Sequence, residues 1–475
     1  MVDLNQYREF LSGKRTYAEP CGFRVKPSSL PSVLKPFQRD TVEYLLRIGR
    51  GGAFEECGLG KTLQQLSWSF AAAEHTGGLS LILCPLAVAG QTLREAKRFE
   101  LDSASLPIGV YSAGDQVPYT RGVVITNYEK LHHFDASKFA AVALDESSIL
   151  KSFNGKTKQA LCRAFADTPY RSAWTATPSP NDLLELGNHS EFLGAMPSTE
   201  MISRWFINDS MQVGKYRLKG HAEDDYWRWV ASWAVSLSTP ADLGYSDEGY
   251  VLPPMEIIER VVAIEDEEAP PGMLFANSGI SATSIHKEKR ASVEERAEEV
   301  ASLVNGESSE PWIVWCDTDY EADALIDRIP DEVEVRGSFT DYKKERNIEL
   351  FSTGQARVII TKPSVCGHGL NWQHCARMAF VGVSYSFENF YQAARRTWRF
   401  GQKRPVKCYV INSEAEQCIW RTVMGKEAAH RQMQSKMSSA MKASQMELVR
   451  GIRKVETYNA GERMSLPSWL SKQGA

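Results

Sequence analysis

The stretch FEECGLGKTLQQL, residues 54–66, ends like a phosphate-binding loop but does not begin like one. The usual pattern is a glycine, four residues of any type, then Gly-Lys-Ser/Thr. Gly60, Lys61 and Thr62 supply the end, and Glu55 stands where the first glycine belongs. The groups that work on a phosphate are nevertheless present. Gly58 and Gly60 let backbone N–H groups approach the oxygens, Lys61 brings charge to the β- and γ-phosphates, and Thr62 brings a hydroxyl for Mg²⁺. The loop sits between a short apolar run, 51–54, and the helix-forming LQQLSWSFAAA, which is the strand–turn–helix context such a site needs. By itself the segment fits an ordinary turn with a stray lysine equally well.

Outward from the loop, apolar β-rich runs recur: LSLILCPL (79–86), GVVITNY (122–128), AAVALDE (140–146) and RSAWTATP (171–178). Near-continuous apolar strands separated by helix-length segments predict a parallel sheet covered on both faces. The rhythm fades over 179–250, which reads as mostly helical and aromatic-rich (DYWRWVASW), with its tryptophans expected in the core. GYSDEGYVLPP and the acidic EDEEAPPG read as linker or loop. Strands resume with WIVWCD (312–317), DEVEVRG (331–337), ARVIITKP (356–363), ARMAFVGV (376–383) and VKCYVIN (406–412), and the chain beyond 414 reads as helical with a polar tail. The expected architecture is α/β, with two tandem parallel-sheet lobes and a C-terminal helical segment. The boundaries are 1–245, 246–413 and 414–475.

The chain has 475 residues, 43% hydrophobic and 24% charged, which suits a globular protein of more than one domain. Its net charge of -4 provides no whole-protein attraction for nucleic acid, so any such binding needs a local basic surface. Nine cysteines include no Cys-x-x-Cys pair, and their odd number argues against a complete disulfide framework. No run approaches the roughly 20 apolar residues of a membrane span, and the expectation is a cytoplasmic protein. Cys366, His368, His374 and Cys375 imitate a zinc set, but they lack the paired cysteines of structural zinc sites.

Asp145 and Glu146 end an apolar strand, where an α/β sheet presents its ligands. One carboxylate suits Mg²⁺ and the other an attacking water. In the second half, YQAARRTWRFGQKRPV (391–406) concentrates positive charge, and Arg396 and Arg399 share a face if the segment is helical. Positive charge on a γ-phosphate supplies much of the rate of phosphoryl transfer.

In chain order, LKPFQRDTVEYL, ECGLGKT, LCPLAVAGQTLREAKRF, VVITNYEKL, LDESSILKSFNGKTKQAL and WTATPSPNDLLELGNHSEFL are similar to motifs Q, I, Ia, Ib, II and III of the Swi/Snf-type ATPases of helicase superfamily two. CGHGLNW (366–372) resembles motif V and 391–406 motif VI, so the resemblance covers about 34–412. That family places an acidic pair and a methionine before GLGKT. Glu55-Glu56-Cys57 fits with cysteine for methionine, and the lost glycine is a family habit. Departures are Ser148 at motif II's usual histidine, Thr92 at a frequent aromatic, and Trp398 for a histidine of motif VI.

The resemblance implies two RecA-like lobes with ATP·Mg²⁺ between them, in a compact form of the kind found in bacteriophages and bacteria. Lys61, Asp145, Glu146, Arg396 and Arg399 would be catalytic, the arginines acting as fingers from the second lobe. Phe37, Gln38, Gly58, Leu59, Gly60, Lys61, Thr62, Gly369 and Gln392 would contact nucleotide, with Gln38 reading adenine, and Thr62 and Asp145 would hold the metal. Pro85, Thr126, Asn127, Trp174, Thr175, Thr177, Ser364 and Asn371 would grip nucleic acid or couple that grip to nucleotide. The implied partner is DNA, duplex favoured over branched or single-stranded forms, and the expected state is a monomer, with a C-terminal segment able to brace the lobes or recruit a protein. Translocation on duplex is the expected activity, because no wedge-like element is evident. The alternatives are a helicase that separates or anneals forked DNA, branched DNA or RNA, and an ATP-switched scaffold without motor activity.

Overall fold

A computed structural model describes residues 18–152, 155–180, 182–208, 216–263, 289–367, 369–414 and 416–450. The acidic patch at 265–272, His368 and the tail beyond 450 lie outside the described residues.

The first sheet has seven parallel strands: β1 Arg50–Glu55, β2 Leu79–Cys84, β3 Ile108–Val110, β4 Gly122–Asn127, β5 Phe139–Asp145, β6 Tyr170–Thr175 and, after a hairpin, β9 Ala234–Leu237. Their order is β3-β4-β2-β5-β6-β1-β9. Every residue of β2 is buried, as a continuous apolar run demands when helices cover both faces of a sheet. The helices of this half are α1 Pro36–Ile48, α2 Lys61–Thr76, α3 Ala89–Arg98, α4 Lys156–Ala164, α5 Leu186–Leu193, α6 Ser198–Trp205 and α7 Glu223–Ala231. β6 lies between β5 and β1, so the segments following these three neighbours emerge side by side at one edge. They are the acidic pair, the threonines of WTATP and the phosphate loop.

The second sheet is also parallel, in the order β10-β15-β14-β11-β13-β12: β10 Met255–Val262, β11 Trp312–Trp315, β12 Glu332–Val335, β13 Val358–Thr361, β14 Arg377–Phe380 and β15 Val406–Ser413. Around it lie α8 Val293–Gly306, α9 Asp319–Ile326, α10 Asp341–Ser352, α11 Pro363–Cys366 and α12 Phe387–Ala394. Under α8 and α9, fully buried Arg296 pairs with fully buried Glu321 (2.8 Å) and Glu416 (3.4 Å), and Lys289 pairs with Asp317 (2.8 Å). Two lobes of parallel sheet, each between apolar layers, are the tandem RecA-like arrangement.

The last helix, α13 Gln417–Arg450, is about 50 Å long at 1.5 Å per residue. Its first turns bury Ile419, Trp420 and Val423 in the second lobe, while Met437 and Met441 join the core of the first. Near its end Gln445 accepts a hydrogen bond from Ser236 N (2.6 Å), and Arg450 donates to the Leu243 carbonyl (2.9 Å). One helix is therefore packed on both lobes.

Three strands depart from the sequence reading. β9 lies in the stretch read as helical: α7 ends at Ala231, and Ala234–Leu237 pairs with β1. A short, wholly buried run cannot be told from a buried helix by periodicity. β3 has three residues, and β10 is an edge strand with no fully buried residue, between two segments read as loops. The tryptophans of α7 and the turn after it lie in the core: Trp227, Trp229 and Trp233 are all buried. Between α6 and α7, β7 Phe206–Asn208 and β8 Tyr216–Leu218 form an antiparallel hairpin with Tyr216 and Arg217 exposed. Such a projecting element was not foreseen.

Candidate nucleotide site between the lobes

The loop after β1 turns through two left-handed glycines, Gly58 (φ +96°) and Gly60 (φ +84°), the second capping α2. Both are also close approaches. A Cβ on Gly58 would meet Phe400 N of the second lobe at 2.8 Å, and one on Gly60 would meet Gln38 Nε2 at 2.3 Å. Lys61 donates to the carbonyls of Glu55 (2.8 Å) and Glu56 (3.3 Å), spanning the loop it serves. Thr62 occupies the first turn of α2, half-buried, and Leu59 is buried beneath the loop.

Gln38 donates to the Leu59 carbonyl (2.7 Å) and accepts from Lys35 N (2.8 Å). Its amide thus supports the phosphate loop and caps α1. Phe37 packs edge-on against Tyr250 (5.5 Å).

Asp145 is buried at the end of β5, and its carbonyl accepts from the Tyr128 hydroxyl (2.6 Å). Burial and the adjoining Glu146 raise its carboxyl above the usual range. Nearby cations favour the ionised form of such a group, which suits a metal ligand. Glu146 follows in the left-handed region, φ +50°.

From the second lobe, α12 and the turn after it bring Gln392, Arg395, Arg396 and Arg399 to the loop. Gln392 Nε2 lies 3.5 Å from Glu146 Oε2. Arg396 is held by the Gln392 carbonyl (2.8 Å) and side chain (3.1 Å) and by the Leu370 carbonyl (3.0 Å). Arg399 donates to the same Leu370 carbonyl (3.1 Å), while its buried Nε has no partner. Neither has a carboxylate partner among the described residues. Burial lowers both guanidinium pKa values, that of Arg396 to about 10 with Arg399 adding to the effect. Buried cations without counterions are held ready for an anion. Together with Lys61, Thr62 and Asp145, this donor set fits a nucleotide triphosphate with Mg²⁺.

Sequence reasoning missed Arg395. It pairs with Glu56 across the cleft at 3.2 Å, and the Tyr391 hydroxyl donates to the same carboxylate. These contacts hold Glu56 below the usual carboxylate range against burial. The Arg395 guanidinium lies over Trp398 (4.3 Å), whose indole N–H donates to the Pro253 carbonyl (2.7 Å). Acidic loop and basic helix were both visible in sequence, but their partnership was not.

The residues expected to grip nucleic acid divide. Trp174 is fully buried and donates to Ser172 Oγ (2.9 Å); Thr126 donates to the Tyr111 carbonyl (2.8 Å); Asn127 accepts from Lys130 N (2.9 Å). These side chains make hydrogen bonds within the first lobe. Thr175 accepts from Thr177 N (3.1 Å), and the buried Thr177 hydroxyl has no partner. Pro85 is half-buried, while Ser364 and Asn371 are exposed on the second lobe. Gly369 (φ +75°) lies so near the first lobe that a Cβ would meet Val88 at 2.7 Å. Cys366 belongs to the second core, and Cys375 donates to the carbonyls of Pro311 (3.1 Å) and Arg377 (3.0 Å).

Glu55 presents a testable cost. It is fully buried with one oxygen unpaired, and burial raises its carboxyl to about 7 despite Lys61 and a 2.7 Å bond from Gln64. A carboxyl raised on folding contributes stability below about pH 4.5, its ordinary value, that is lost as pH rises through 7. Glu55→Gln is therefore expected to melt near the wild type at pH 5. At pH 8 it should be more stable by roughly 2–4 kcal/mol, read from thermal unfolding at the two pH values.

Comparison with known proteins agrees with this geometry. Residues 37–220 match the SNF2-related domain and residues 294–401 the helicase conserved C-terminal domain. Protein p41 of Acyrthosiphon pisum secondary endosymbiont phage 1 is 24% identical over 474 residues, covering 86% of this chain and 98% of its own. TATA-binding protein-associated factor MOT1 of Saccharomyces cerevisiae is 26% identical over 36% of this chain, and chromatin-remodeling ATPase INO80 of Pyricularia oryzae is 26% identical over 42%. The matched parts are 11% and 12% of those two longer proteins. With both domains in order around one cleft, the chain belongs to the Swi/Snf-type ATPases of helicase superfamily two, ATP-hydrolysing motors that act on nucleic acid.

Proposed function

We propose that this ATPase moves along double-stranded DNA, cleaving ATP in the cleft only when the two lobes are closed on one another. The observation that carries this reading is the pair of guanidiniums on one carbonyl of the second lobe, buried Arg396 and half-buried Arg399, neither with a carboxylate partner among the described residues and both beside the helix that packs Arg395 on Glu56 of the phosphate loop. Lys61 would leave the Glu55 and Glu56 carbonyls for the phosphates, Thr62 and Asp145 would hold Mg²⁺, and Glu146 would orient the attacking water. The metal would neutralise charge on the β- and γ-phosphates. The fingers would balance charge as it develops, and because they ride on the other lobe, hydrolysis follows closure. A track bound across both lobes would favour closure and so stimulate turnover. The helix α13, packed on both lobes, would brace this movement.

The hairpin β7–β8 favours a second reading, strand separation, because its exposed Tyr216 and Arg217 suit stacking and phosphate contact. One set of measurements tests both. ATP turnover is compared without nucleic acid and with single strand, duplex, fork, junction and RNA, beside triplex- and strand-displacement assays. Duplex is expected to stimulate most, with triplex displacement and no unwinding. Equal turnover with and without every polynucleotide would overturn the motor in favour of a scaffold, and displacement of paired strands would favour the hairpin reading. Stimulation should weaken as salt rises, since phosphate contacts release counterions.

A further inference from the structure

The left-handed backbone at Glu146 is uncommon for a residue with a side chain and persists where the surroundings over-determine it. Two adjacent serines do so, from opposite directions. Ser147 Oγ lies 3.1 Å from His189 Nε2, both fully buried, and His189 packs edge-on to Phe54 of β1. That anchor belongs wholly to the first lobe. Ser148 Oγ instead donates to Glu388 Oε1 of the second lobe at 2.6 Å. Lys151, at the end of the same turn, pairs with the other oxygen of Glu388, and the Lys151 carbonyl is held by Asn188 Nδ2 (3.0 Å). One helical turn beyond Glu388, Gln392 reaches Glu146 itself.

We propose that Glu388 is a positioning residue for hydrolysis, clamping the 147–151 turn through Ser148 so that Glu146 is aligned only when the second lobe is docked. Glu388, Gln392 and Arg396 recur every four residues along α12 and the turn that follows it. A single rigid approach of that helix therefore delivers the finger and aligns the base together. When the lobes part, Ser148 loses its acceptor and Lys151 its carboxylate, and the strained segment keeps only its first-lobe anchors, His189 on Ser147 and Asn188 on the Lys151 carbonyl. Catalytic alignment is then conditional on closure, so an open enzyme binds ATP without cleaving it.

The inference rests on Glu146 as the water-orienting group. The test uses the full chain with Ser148→Ala, Glu388→Ala, Glu388→Gln and the double variant S148A/E388A, with Glu146→Gln alongside. Steady-state kcat and KM for ATP are measured with and without duplex DNA, and nucleotide binding and thermal midpoint are recorded for each. Losing a charge-assisted hydrogen bond is expected to lower kcat about ten- to a hundredfold in Ser148→Ala and Glu388→Ala. KM should stay near the wild type. The double variant should be no worse than Glu388→Ala alone, because the Ser148–Glu388 contact is already broken in that single variant. Glu388→Gln, whose amide oxygen still accepts from Ser148, should recover most of kcat. Wild-type kcat in both alanine variants, with Glu146→Gln inactive, would overturn the clamp and leave the active-site reading standing. A loss in Glu388→Ala that Glu388→Gln does not restore would also overturn it. Turnover surviving in Glu146→Gln would instead overturn the reading on which the clamp depends.

Discussion

Glu146→Gln is expected to lower ATP turnover by about a hundred- to ten-thousandfold, the usual contribution of a positioned general base, while nucleotide still binds. The substitution keeps the shape of the side chain and one acceptor oxygen, so the turn that holds it should survive. Ser147 and Ser148 keep their partners on either side, and Gln392 still faces an amide oxygen. What is lost is the negative charge that draws a proton from water. Binding of a fluorescent ATP analogue at wild-type affinity, with turnover lost, is the signature of a chemical role. Turnover near the wild type would remove Glu146 from the mechanism.

Arg396→Ala should be as damaging, with kcat falling by roughly a thousand- to a hundred-thousandfold, the range for an arginine finger. Arg396→Lys should not restore it, because an ammonium is a point charge and cannot reproduce the planar fork now held by Gln392 and Leu370. Stability should move the other way or not at all. Arg396 is a buried cation with no carboxylate partner among the described residues and a pKa lowered to about 10 by burial and by Arg399. Arg396→Met removes that desolvated charge and keeps the apolar stem, so it should melt at or above the wild-type midpoint while being catalytically dead. Such a trade between activity and stability marks a residue kept for chemistry. An Arg396→Met protein that turned over ATP normally would show the guanidinium to be a structural hook on the Leu370 carbonyl.

Both predictions concern residues whose type and order are legible in the chain. The phosphate loop declares itself through Gly58, Gly60 and Lys61 because left-handed turns need glycine and phosphates need charge, and both demands are local. The apolar runs that became β2, β4, β5 and β6 are legible because a strand covered on both faces is made mostly of apolar residues. β9 and β3 were hidden for the converse reason: four or three residues make too short a pattern, and only pairing with β1 or β4 makes them strands. The placement of Gln38, Trp174, Thr126 and Asn127 was also out of reach. Which way a polar side chain turns depends on the nearest unpaired carbonyl, and that neighbour is supplied by another part of the chain.

The available chemistry is written in the order of residues: an anion-binding loop, an acidic pair at a strand end, a cluster of arginines, and two lobes of parallel sheet to carry them. Those features follow from local backbone geometry and from what a covered sheet must bury, which successive residues specify. How the two halves meet is set by packing alone. Arg395 on Glu56, Glu388 on Ser148, Phe400 against Gly58 and a single helix packed on both lobes are contacts between residues far apart in the chain. No local pattern encodes such pairings, because each depends on how closely two rigid sheets approach. That approach brings the guanidiniums against the loop after β1.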